Sequence, residues 1–184
     1  MAKYQIYKAK AREELVKRGF ELAKIRKELA KKTAELIKNK FIVKELLDYS
    51  DLGLKIEKDQ ADYNERVAEV QEDIAEIHKR IAKVEIEIAE ENKKLMNEKI
   101  NIAKEREKLG KKQLVYAKHI RNESSQEKQA SIKEDYLSQQ NNIIKIERNI
   151  VDKIEEIKKK QNKLSDLKKE LSLKLTEREK IRPL

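Results

Sequence analysis

Few side chains in this sequence have the types and spacing that chemistry requires. Its two histidines, His78 and His119, lie far apart, and the chain has no cysteine. A metal site needs several convergent donors, so both are expected to be flanking or surface residues. Glu85, Glu87, Glu90 and Glu91 crowd one stretch. General acid–base catalysis needs a cleft that drives two carboxyl pKa values apart, whereas this spacing suits a solvated helix face. The sequence holds no glycine-rich phosphate loop, nucleophile elbow or paired-histidine zinc motif. Asn122-Glu123-Ser124 matches the glycosylation acceptor pattern, but it falls where a turn is needed. The expectation is a protein that is not an enzyme and takes no cofactor or metal.

Basic side chains are the stronger lead. Lys8, Lys10, Arg12, Lys17, Arg18, Lys24, Arg26, Lys27, Lys31 and Lys32 form a dense positive field near the N-terminus. Lys104, Arg106, Lys108, Lys111, Lys112, Lys118 and Arg121 form a second one. The second set is the candidate interaction site. Phosphate groups would suit both fields, but aromatic stacking residues are sparse and no base-reading motif is present, so any nucleic-acid binding should tolerate sequence and fall with salt. Solvated helix faces paired with neighbouring acids account for the same residues. Tyr4, Tyr7, Ala11 and Leu15 could make an interfacial membrane face, or simply begin an apolar stripe.

These residues need elements to hold them, and the composition names the kind. More than half of the 184 residues are Ala, Glu, Lys, Leu or Arg; 43% are charged and 4% aromatic, with three Gly and one Pro. Such a balance marks long helices when a heptad is present. The heptad is present. Val67, Ile74, Ile81, Ile88, Leu95, Ile102, Leu109 and Tyr116 recur at seven-residue intervals, each followed by a small or flexible residue from Ala68 to Ala117. No strand has this period.

Two further stripes flank it. Leu15, Leu22, Leu29, Leu36 and Val43 line a first helix over about 4–48, with Ala23, Ala30 and Ile37 beside them. Gly53 suits a left-handed helix end, placing a turn at about 49–56 and a second helix over about 57–122. That helix would be about 100 Å long. Ser124 and Glu127 form a capping box, so a turn is expected at about 122–127, with Ser131 and Glu134 as the alternative start. A third helix over about 128–181 carries Tyr136, Ile143, Ile150, Ile157, Leu164 and Leu171, widened by Ile146, Ile154, Leu167 and Leu175. Pro183 follows its end.

Over the first half of the long stripe a second apolar row appears, Val70, Ile77 and Val84; later the same row reads Glu91, Glu98, Glu105 and Lys112. A wide apolar face needs cover from two sides, so the first half should have two neighbours and the second half one. Charge agrees: residues 1–44 carry +9 and residues 57–91 carry −7, while residues 92–122 return to +7. The expected fold is all-α: an elongated antiparallel coiled coil, an up-down-up three-helix rod with a two-helix extension in a single domain over 1–184. Pairing between copies of an extended chain is the rival. Gly110 beside the polar stretch Gln139-Gln140-Asn141-Asn142 is expected to be a flexible or closely packed spot.

In length and helix pattern the chain is similar to spectrin-type three-helix rods and to the stalk subunits of rotary ATPases and the flagellar export ATPase. That resemblance carries no residue assignments. The functional expectation is a structural or interaction protein, a rod, stalk or assembly subunit with protein partners or self-association. A sequence-independent binder of nucleic acid or an anionic surface is the alternative, and an ATPase central stalk a further one. The absence of an apolar leader or a membrane-length run predicts a cytoplasmic protein.

Overall fold

The computed structural model describes residues 2–43, 50–121 and 126–182. Among them are three helices, α1 (Ala2–Ile42), α2 (Asp51–Arg121) and α3 (Gln126–Lys180), and no strand. The protein is all-helical, and its helices pack as a bundle. Two units emerge from the packing: one comprising residues 3–87 and 162–184, the other residues 88–161.

In the first unit, α2 lies between two neighbours, as its wide apolar face requires. Arg12, Lys27 and Lys40 of α1 pair with Glu85, Glu72 and Glu57 of α2 at 2.9, 2.8 and 2.8 Å. Numbers rise in one helix as they fall in the other, so the two run in opposite directions. On α2's other side, Arg80 meets Glu170 at 2.8 Å and Asp73 meets Lys174 at 2.9 Å. The basic N-terminal stretch has found the acidic one that follows it. Between them, Lys24 and Lys79 lie over the Phe20 ring at 4.7 and 4.6 Å from its centroid, a favourable placing of cations on a π face.

The α1 side of this unit's core is built largely from small residues. Ala23, Ala30, Ala34 and Ile37 of α1 are buried, as are Leu54, Ala61, Ala68, Val70, Ile77, Ile81, Ala82 and Val84 of α2 and Leu167 of α3. Ala34, Ile37 and Ala61 form one cluster, capped by Phe41. The leucine line of α1 does not join it. Leu15, Leu22, Leu29 and Leu36 are 50–71% exposed, as is Ile25. Alanines face α2 across the seam, and the leucines, set to one side of that row, are left outside. Val43 is half-buried.

In the second unit α2 has α3 as its neighbour. Ile102, Ile143 and Ile146 form the core, with Leu109 and Ile150 packed against it. Toward the helix ends, the rings of Tyr116 and Tyr136 stack with centroids 6.5 Å apart. The small-residue row turns outward here: Met96, Ala103 and Ala117 are exposed, whereas Ala68 and Ala82 are buried. Ile154 and Leu175 of α3 are also exposed rather than widening its buried face.

The first break differs from expectation. Residues 51–56 are helical rather than a turn. Ser50 caps α2: its hydroxyl accepts the Gly53 amide at 3.1 Å, and its carbonyl accepts the Leu54 amide at 3.1 Å. Gly53 therefore opens a helix instead of closing one. A Cβ there would sit 2.8 Å from the Ser50 hydroxyl oxygen, so the bare glycine makes room for the cap. Helix α1 ends at Ile42, and residues 44–49, including Leu46, lie outside the described residues. Helix α3 starts at Gln126, so Ser131 and Glu134 are interior to it; Ser124 and the Asn122 acceptor pattern lie outside the described residues, as does Pro183.

Leu54 is 2% exposed while Leu29 is 66% exposed. Leu54→Ala should therefore cost about 2–5 kcal/mol of unfolding free energy, and Leu29→Ala no more than about 0.5 kcal/mol. Denaturant melts of the two variants at equal concentration check this inversion of the heptad expectation.

Candidate functional site

Two surfaces could meet another molecule, one in each unit. In the second unit, the candidate cations of α2 are largely occupied. Arg106 reaches Glu147 of α3 at 2.8 Å; Lys108 and Lys111 pair with Glu105 and Glu107 along their own helix at 2.7 Å each. Lys112 donates to the Asp135 carbonyl at 3.3 Å. Lys104, Lys118 and Arg121 are exposed. The seven residues thus share a helix but do not converge on one point.

Beside them lies a polar row whose first member, Glu91, was expected on a solvated face. Glu91 is 9% exposed. It accepts from Lys94 at 2.9 Å and has the Lys160 ammonium of α3 at 3.6 Å. Two heptads along, Glu105 accepts from the Gln139 amide at 2.5 Å and the Asn142 amide at 3.5 Å. Gln113 donates to the Tyr136 hydroxyl at 3.3 Å. The apolar row of Val70, Ile77 and Val84 is continued here by polar groups that still face α3. Glu85, from the same acid cluster, is also committed, to Arg12. A solvated face is therefore the wrong description for Glu85 and Glu91.

The hydrogen bond from Lys94 holds the Glu91 carboxyl below its ordinary value; burial opposes this, and Lys94, Lys160 and Lys153 add attraction. Glu105 is likewise lowered, first by the hydrogen bond from Lys108 and then by that from Gln139. Gly110, near this polar stretch, is not closely packed: a Cβ there would meet nothing within 4 Å.

In the first unit, two of the exposed leucines, Leu22 and Leu36, border hollows of a groove. One hollow of about 550 Å³ lies among Gly19, Leu22 and Arg26 of α1, Ile74 and His78 of α2, and Arg178 of α3. A second, of about 380 Å³, lies among Thr33, Leu36 and Lys40 of α1 and Ile56, Glu57 and Asn64 of α2. Gly19, Leu22 and Arg26 are each two heptads before Thr33, Leu36 and Lys40, and His78 is two heptads after Asn64. Both hollows therefore open on one face of the helix pair. Along that face runs the half-buried part of the long stripe, Val67 and Ile74. The sequence reading named Leu22, Leu36 and Ile74 as packing residues and left Arg178 aside. Their convergence depends on which of two apolar lines α1 buries, and periodicity alone is silent on that. His78 is half-buried in this unit and His119 half-buried in the other. Among the described residues no three His, Cys, Asp or Glu side chains are placed to hold a metal ion.

Because the folded-state pKa of Glu91 is lowered, its stabilising contribution is fully present above the ordinary carboxyl value of 4.5 and is lost as pH falls through the lowered one. Glu91→Gln should shrink the drop in melting temperature between pH 7 and pH 3, measured by circular dichroism. Gly110→Ala should stabilise the helix by about 0.5–1 kcal/mol, as a denaturant melt would show; a loss would mean tight packing at that point. Neither a scan against protein-family models nor a search of curated proteins matches this chain.

Proposed function

We propose that the chain is a non-enzymatic structural and interaction protein, a coiled-coil rod, stalk or assembly subunit of a larger complex, working in the cytoplasm. Antiparallel heptad seams are the device, and presentation of helix faces at fixed spacing is the task. The observation that carries this reading is the leucine line of α1. Four leucines at heptad spacing, each at least half exposed, are costly for a chain that works alone, because water-exposed apolar stripes favour association. The remaining conspicuous residues are engaged in holding helices together: cations of α1 and α3 on acids of α2, and polar groups of α3 on Glu91 and Glu105. No helix among the described residues is long and apolar enough to cross a membrane.

A second reading, sequence-independent binding of nucleic acid or an anionic surface, draws on the exposed Lys104, Lys118 and Arg121. It is the weaker one, because Arg106, Lys108 and Lys111 already face carboxylates. Gentle isolation of the endogenous protein, followed by imaging, should yield a defined assembly containing it. Recovery mainly as a free monomer would reject the leading reading. A salt titration on duplex DNA and anionic vesicles separates the second, which requires retention at low salt and release as salt rises.

A further inference from the structure

We propose that the groove along α1 and α2 in the first unit, edged at one end by Arg178 of α3, seats a fourth helix, an acidic amphipathic helix supplied by a different protein. This deepens the proposed function and rests on it. The groove is shaped for a helix. Leu15, Leu22, Leu29 and Leu36 present apolar groups at heptad intervals over about 32 Å, the spacing that a partner helix meets with its own heptad seam. Their exposure of 71, 50, 66 and 57% leaves that seam uncovered. Val67 and Ile74 of α2, both half-buried, lie along the same face. A helix laid here would turn the three-helix section into a four-helix one and cover both stripes at once.

Charge decides which helix. The larger hollow is edged by Arg12, Arg26 and Arg178, and no carboxylate lines it. Arg12 is shared with Glu85, whereas Arg26 and Arg178 point to carboxylates on the incoming helix. Arginine is suited to this, since its planar fork holds a carboxylate at two points. A second copy of this chain is a poor guest. Its α1 is strongly basic and would set cation against cation, while its acidic stretch over 57–91 is already paired with its own α1 and α3. Nucleic acid would find the arginines but leave the leucine line in water.

The test uses two synthetic four-heptad peptides with leucine along the seam, one with glutamate and one with lysine at the flanking positions, titrated by fluorescence anisotropy onto the full-length protein. The glutamate peptide is expected to bind at least about tenfold more tightly than the lysine one, a difference of about 1.4 kcal/mol. Arg26→Glu combined with Arg178→Glu should abolish or invert that preference, and Leu22→Ala with Leu29→Ala should weaken the glutamate peptide by about tenfold or more. Helix content by circular dichroism confirms that each variant is folded. Equal affinity for both peptides, or no binding of the glutamate peptide to a folded chain, overturns the proposal. So does a protein that sediments alone as a dimer lost on Leu29→Glu, which would assign the groove to a second copy. Displacement of the bound glutamate peptide by duplex DNA or anionic vesicles also overturns it. If the peptides fail while a native assembly is isolated, the acidic helix falls and the role as assembly subunit stands.

Discussion

Packing of α1 on α2 through alanines is the constraint on which the first unit depends. Isolated helices are marginal in water, so their stability comes from the face they bury. Here that face is narrow and mostly small: Ala23, Ala30 and Ala34 on one side, Ala61, Ala68 and Ala82 on the other, with Ile37 and Phe41 filling one end. Small side chains bury little area each, about 25 cal/mol per Å² of apolar surface, but they spare the larger side-chain entropy that leucine would lose. Once alanines occupy the seam, the neighbouring leucines have no partner within α1 and α2. The apolar line most visible in α1 is therefore the one least used within the described fold.

The second unit solves a different problem with different groups. With one neighbour for α2, an all-apolar seam would specify poorly where α3 should sit. Gln139 and Asn142 on Glu105 impose position, because these hydrogen bonds run between the helices and are satisfied only at one alignment, and the Lys160 ammonium beside Glu91 adds an ion pair across the same seam. Polar groups of this kind contribute little net stability and are retained in some coiled coils for register. No buried side-chain nitrogen or oxygen among the described residues lacks a hydrogen-bond partner, so the desolvation of the polar row is offset by contacts.

Much of this was legible from residue spacing. The all-helical class, the three helices and their order follow from the heptads. Opposite net charges over 1–44 and 57–91 anticipated the pairs Arg12–Glu85, Lys27–Glu72 and Lys40–Glu57. Three features were hidden for physical reasons. Hydrophobicity ranks the Leu15–Leu36 line above the alanine line, while packing chose the reverse. Gly53 can both end and begin a helix; the Ser50 hydroxyl decided in favour of beginning. Glu91 and Glu105 resemble solvated acids until cations and amides of a distant segment are placed beside them. Of the groove, its leucines were visible in the sequence; the meeting of Arg26 with Arg178 requires the fold.

The ladder of ion pairs between α1 and α2 also implies a direction of folding. Lys40 and Glu57 are separated by 17 residues, Arg12 and Glu85 by 73. Closing the longer loop first would cost about 1.3 kcal/mol more chain entropy than closing the shorter. The rung near the break therefore closes most readily, and each later rung extends a helix pair already begun. During synthesis the basic helix emerges before its acidic counterpart, so the hairpin can zip only once residue 57 and its successors have left the ribosome, and it zips backward along a strand of chain already made.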